Sequence, residues 1–447
     1  MFFSVLGIMT LFNMPFFFLG AVAAGFFVAF LFNKQFRWII FPVVLCFHYN
    51  LLKPWGILFQ FGGLTILPAD WLTLFLLGAL FLRRALYPKP VFERNGLEKP
   101  AVILLAALTA VSFFGSAGIK GSIVGLGHIV LYFLFLYAMV ADWKDVPVGN
   151  LWRSYEFWAF PAAISILLYF VSTGGERSLG IGSFWFPNII LPVIYFRLVE
   201  MTFKRGIWRL SVLGVWVLAI LSSQTRGAWI SLGVVTVTWF FIQSFLKEES
   251  VKKRLARVGL TLLKLSVFFI LVFLFLGPYL GSTEKRAEQL VTGAGTIYLR
   301  YFLWSLAIKV FLLHPVAGVG LWQFQNVVEQ LSVVKNIPVF HYVRGLTPHN
   351  MLLEVLAETG IIGAVALFIF YVAVLRRAWK VARLGRTQDE ICFGWGLFLS
   401  LFYFAVGNLY TETWIGYHFM FFLALLMIFE RQLKSAPMIE QRNKGLV

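Results

Sequence analysis

Residues 282–324, STEKRAEQLVTGAGTIYLRYFLWSLAIKVFLLHPVAGVGLWQF, and residues 341–363, HYVRGLTPHNMLLEVLAETGIIG, decide how this chain is read. Together they make a polar block from about Gly281 to Gly360, flanked by long apolar runs. A water-exposed stretch of that length in an otherwise apolar chain is where a soluble substrate can be met, so it is read as one half of an active site. The other half is SSQTRGAW, Ser222 to Trp229, where an arginine interrupts two apolar segments.

Outward from that block, the 447 residues are 60% hydrophobic and 18% aromatic, with a mean hydropathy of +0.83. Water cannot cover so much apolar surface, which excludes a soluble globular protein. Apolar runs of roughly 17 to 25 residues recur, the length a helix needs to cross the hydrocarbon, whereas a barrel would show shorter alternating segments. The expected fold is all-α: a polytopic transmembrane helical bundle of about 12–14 spans, one integral membrane domain over 1–447 with a large external loop at 281–350. The first residues, MFFSVLGIMTLFNMPFFF, lack a basic n-region and an A-x-A site, and are expected to be retained structure.

The net charge of +18 does not point to nucleic acid, because the Lys and Arg fall in short clusters between apolar runs. That is the positive-inside pattern of a membrane protein. Cys46 and Cys392 lie far apart in apolar runs, so neither a disulfide framework nor a metal site is implied.

Counting crossings from the basic clusters orders the spans. A short span and a full one are expected within Phe2 to Phe32, then Trp38 to Leu52 crosses outward. ILFQFGGLTIL is too short to span and is expected to be re-entrant or interfacial, before Asp70-Trp71 starts the return. Runs near 100–115, 121–140, 156–173 and 184–200 follow. Leu210 to Leu221 crosses outward, TRGAW turns at the outer face and Trp229 to Leu246 returns to KEESVKKRLAR. Leu260 to Leu276 crosses outward again, so the 281–350 block is external, and its YFLWSLAIKVFLL is expected to be an amphipathic helix at the interface. Met351 to Leu375, then 391–409 and 414–429 around Thr411-Glu412-Thr413, complete the bundle, with every basic cluster on one side.

Within that frame, Arg226 is external, between two spans. An arginine there either snorkels to lipid head groups or forms an anion site, where its planar five-donor guanidinium suits phosphate oxygens and Gly227 lets a ligand approach the backbone. His349 follows Pro348 at the start of a long apolar run; it is either structural or a base, since an imidazole can take a proton from a hydroxyl near neutral pH. His341 is its rival in the same block, while His314, in LLHPVAGVG, more readily serves a turn. Arg300 and Arg344 are solvated surface or further cationic charge for a multiply anionic ligand. Glu354 and Glu358, four apart on one helix face, suit the amino end of that helix and pairing with an arginine better than catalysis. The sequence has no D-x-D pair, no Walker A, no H-E-x-x-H and no paired C-x-x-C, so the expected chemistry needs no metal and no cofactor.

The order TRGAW, then YLRYFLWSLAIKVFLLHPVAGVGLWQF, then HNMLLEVLAETGIIG resembles the O-antigen ligase and O-antigen polymerase superfamily of bacterial envelope enzymes, over roughly Leu221 to Gly363. The family's H-x10-G pattern is met by His349 and Gly360; its R-x3-L pattern is met at Arg226 with Ile230 in place of leucine, a chemically mild departure. The resemblance implies glycosyl transfer at the periplasmic face of the inner membrane. The donor would be a glycan on undecaprenyl pyrophosphate, and the acceptor a sugar hydroxyl on lipid A-core or on another lipid-linked glycan. His349 would deprotonate the acceptor and Arg226 would bind the donor pyrophosphate, with Arg300 and Arg344 added by their place in the block. Membrane lipids and proteins of envelope assembly would be the further partners. Two alternatives stay open: a polymerase that extends lipid-linked repeat units, and a transporter or flippase of a lipid-linked anion, against which stands the lack of related halves.

Overall fold

The computed structural model describes residues 33, 35, 37, 38, 45, 59–61, 64–66, 68–86, 97–117, 119–172, 186–204, 206–223, 225–246, 259, 296–331, 347–407, 409 and 415–444. The expected spans before residue 53 and at 260–276, the KEESVKKRLAR cluster, the outer turn at 411–413, and the block residues His341 and Arg344 lie outside the described residues.

Apolar runs become helices because a backbone without water must satisfy its own hydrogen bonds. After a two-stranded antiparallel hairpin, β1 (Phe59–Phe61) and β2 (Leu64–Ile66), come twelve helices among the described residues. They are α1 (Pro68–Leu86), α2 (Glu98–Phe114), α3 (Ile119–Trp143), α4 (Val148–Ser172), α5 (Phe186–Phe203) and α6 (Ile207–Ser222). Then follow α7 (Arg226–Leu246), α8 (Thr296–Leu313), α9 (Phe324–Gln330), α10 (Met351–Ala382), α11 (Gln388–Gly407) and α12 (Tyr417–Lys444). Among the described residues the fold is all-α apart from that hairpin, which occupies the stretch read as a re-entrant or interfacial piece. There the sequence FQFGGLTI sets two β-favouring triplets on either side of Gly62-Gly63, a hairpin signal that span length alone does not register.

Four described helices are long and apolar enough to cross a membrane: Gly121–Trp143, Val148–Ser172, Met351–Ala382 and Gln388–Gly407. Thr73–Leu82, Ile207–Ser222 and Gly227–Gln243 are shorter apolar helices. Pro161 and Pro192 sit inside α4 and α5, as neighbouring helices in a bundle permit. The core runs through the bundle from Leu104 and Leu108 of α2 to Trp395 of α11 and the buried row Phe419 to Leu426 of α12. Buried hydroxyls tie helices together: Tyr403 donates to Asn188 Oδ1 at 2.6 Å, and Tyr155 and Tyr195 donate to backbone oxygens of Ile189 and Ser231.

The two ends of the bundle differ in charge. At one end, Arg37 donates twice to the Asp142 carboxylate at 2.7 and 2.8 Å, and Arg377 donates to Glu430 at 2.7 Å. There too Gln432 bridges Val146 and Val148, Gln388 reaches Phe203, and Lys204 pairs with Asp389. Trp239 of α7 donates to Thr202 at the same end, so the antiparallel run of α7 carries its first residue, Arg226, to the other end. That other end also holds the starts of α3 and α10.

Candidate functional site

The site is built on the start of α10. Asn350 caps it: the residue is extended (φ −152°, ψ 107°) and its side chain accepts from Leu353 N–H at 3.1 Å. His349 immediately before the cap has φ +48°, a left-handed conformation that costs a non-glycine residue about 1–2 kcal/mol. The turn is held from outside the helix, because Trp304 of α8 donates its indole N–H to the Pro348 carbonyl at 2.9 Å. Arg300 lies four residues before Trp304, on the same face of α8, and is half-buried. One tryptophan of α8 thus ties the turn that carries the candidate base to the helix that carries one candidate anion-binding arginine.

Behind α8 is a small core of its own. Leu303, Leu306, Ala307 and Val310 form a buried stripe against Val319, Phe324, Val328 and Ala357. The opposite face of α8 mixes Ser305 and Lys309 with Tyr301, Ile308 and Leu312.

Gly360 explains the spacing of the H-x10-G pattern physically. Its φ of 59° and ψ of −162° break the helix in a region that is essentially glycine's alone, and a Cβ there would stand 2.3 Å from the Val316 carbonyl oxygen. Through that break the loop His314–Gln323 bonds to α10 like a strand: Val319 N–H to Ala357 O, Gly320 N–H to Glu358 O and Ile361 N–H to Pro315 O. His314 serves the turn, accepting from Gly318 N–H at 3.0 Å. Gly318 and Gly320 also have positive φ, and a Cβ on Gly320 would meet the Ser122 hydroxyl at 2.2 Å.

Glu358, 2% exposed, corrects the expectation of an arginine partner. Its two carboxylate oxygens accept from the backbone N–H groups of Trp322, at 2.9 Å, and Phe324, at 3.2 Å, at the entry to α9. Buried carboxylates need donors, and the two N–H groups of a tight turn supply them. Glu354 is buried one turn earlier, its N–H bonded to Asn350 O.

Beneath the loop lies the α2–α3 hairpin. Gly115, Gly121 and Gly125 clear the approach of Gly320, Gln323 and Leu321-Trp322, and Ala117 donates to the Val319 carbonyl. The indole of Trp322 rests on the imidazole of His128, ring centroids 4.7 Å apart. His128 Nε2 is 3.6 Å from the carboxylate of buried Asp70, which also accepts from the Tyr417 hydroxyl. Sequence reading did not single out Trp304, Trp322, His128 or Asp70 as parts of this site. The GVG punctuation before Trp322 was the only local signal.

Arg226 is the first residue of α7, at the bundle end that carries His349; only its backbone is described. Gly227 beside it accepts from the Ser231 hydroxyl at 2.8 Å. Among the described residues, no group of three or more His, Cys, Asp or Glu is gathered as a metal site.

Residues 210–368 match the family model described as O-antigen ligase. This part of the chain belongs to the O-antigen ligase family. With the four helices long and apolar enough to cross a membrane, the match supports a multi-pass membrane protein that carries an O-antigen ligase region. No curated protein matches it. The ligase domain starts inside α6 and ends inside α10, so it takes in Arg226, Arg300, His349 and Gly360. The α2–α3 hairpin, against which the matched loop is seated, and the Asp70 and Tyr417 pair behind His128 lie outside it.

Proposed function

We propose that this protein is an inverting, metal-independent glycosyltransferase that moves a saccharide from undecaprenyl pyrophosphate to a sugar hydroxyl, as an O-antigen ligase acting on lipid A-core at the periplasmic face of the inner membrane. The observation that carries the proposal is the His349 turn: a histidine with a strained backbone before a capped helix, anchored by Trp304, with Arg300 one turn from that anchor. Strain retained at one residue is a mark of function when the surroundings enforce it.

In this reading His349 takes the proton of the acceptor hydroxyl, whose oxygen attacks the anomeric carbon. The bond from that carbon to the pyrophosphate oxygen breaks on the opposite face, inverting the centre. Charge collects on the leaving pyrophosphate, where Arg226, Arg300 and Arg344 stabilise it as fixed donors. The bland role for Arg300, a solvated surface residue, fits poorly with a half-buried position on the face of α8 that holds the His349 turn.

The product pattern tests the reaction type. Purified protein given lipid-linked glycan and lipid A-core in the presence of EDTA should yield one addition per acceptor. A ladder from the donor alone would make it a polymerase, and directional movement of the lipid-linked glycan without a new bond would make it a transporter.

A further inference from the structure

Among the described residues, the two non-glycine residues with positive φ are His349 and Trp322. The second has no place in the chemistry above. Its φ of 57° suits glycine, so the backbone carries strain to keep an indole at this position. The strain is enforced from several sides. Glu358 holds the Trp322 N–H at 2.9 Å, Gly125 leaves room under the ring, and His128, three residues along α3, supports it from below. Even so seated, Trp322 is 43% exposed.

Tryptophans at a membrane interface are common without any ligand, but the common kind does not need a left-handed backbone or a carboxylate clamp. Depth indicates what this one meets. Its clamp, Glu358, is eight residues past the Asn350 cap, roughly 12 Å along α10 at 1.5 Å per residue and toward the basic end of the bundle. A pyrophosphate reaching inward from a sugar at His349 bridges less than that distance. The part of the donor that arrives at Trp322 is the isoprenoid chain.

We infer that the exposed face of the Trp322 indole is a platform for the first isoprene units of a polyprenyl pyrophosphate donor. The inference rests on the donor class proposed above and names the subsite that would select its lipid. Contact over about 50 Å² of apolar surface is worth roughly tenfold in affinity.

The test compares the full-length wild type with Trp322→Gly in transfer assays using one glycan pyrophosphate on two alcohols, a long polyprenol and ethanol, which carries no isoprene unit. The KM for the long-chain donor should rise about tenfold with kcat unchanged, and the KM for the short donor should not follow it. Thermal stability should hold or rise, because glycine relieves the left-handed backbone; Trp322→Phe should recover part of the KM. An unchanged KM for the long donor would overturn the inference, as would an equal rise for both donors or a fall in kcat together with Tm. Wild type inactive on both donors would strike the glycosyl-transfer reading instead. Titration with unglycosylated polyprenyl pyrophosphate then decides the platform alone, supported by about tenfold weaker binding in Trp322→Gly and overturned by equal binding.

Discussion

At the residue scale, the site depends on backbone conformations that few side chains tolerate. Gly360→Ala places a methyl 2.3 Å from the Val316 oxygen in a region closed to alanine. It should destabilise the protein by at least about 2 kcal/mol, read as a lowered Tm in detergent and lost activity. Trp304→Phe keeps most of the ring but loses the donor to Pro348. We expect kcat to fall between about ten- and a hundredfold as the His349 turn loosens, with donor binding preserved. Equal losses in both would mean that Trp304 shapes the donor site itself. Arg226→Lys should restore only part of donor binding lost in Arg226→Ala, since an ammonium lacks the bidentate fork; a fluorescent donor analogue reads this directly.

At the element scale, most helices were legible in the sequence, because apolar length fixes a crossing whatever its neighbours do. The α6–α7 pair around Thr225-Arg226 and the start of α10 at Met351 follow the expected turns closely. What was not legible is long-range pairing. Glu358 was expected to face an arginine, yet its donors are backbone N–H groups from 36 and 34 residues earlier. Nothing in the local spacing encodes that. Trp322 was hidden for a similar reason, since its left-handed φ stands at a residue whose type gives no sign of it. Asn350→Ala tests the element boundary: loss of the cap should cost about 1 kcal/mol and fray the His349 turn, seen as faster amide exchange at the start of α10.

At the scale of the whole molecule, two differently built ends imply an orientation. Lys204, Arg377, Arg383, Arg386 and Lys434 belong to the end away from His349, which the positive-inside rule assigns to the cytoplasm. In a chain freed of its own cysteines, Ser305→Cys should react with an impermeant maleimide in spheroplasts, and Arg386→Cys only after permeabilisation. The reverse pattern would invert the topology. The same basic end carries the buried Arg37–Asp142 pair, with side chains 5% and 0% exposed. Removing one partner should cost about 3–5 kcal/mol, and replacing both with apolar residues should cost much less.

The account stands most directly on one comparison: transfer of glycan from undecaprenyl pyrophosphate to lipid A-core by wild type and by His349→Ala, with donor binding measured in parallel. It predicts a single larger product from the wild type, no turnover from the variant, and donor binding nearly equal in the two. Turnover surviving in His349→Ala would contradict the role of His349 as base, whatever the variant does to binding.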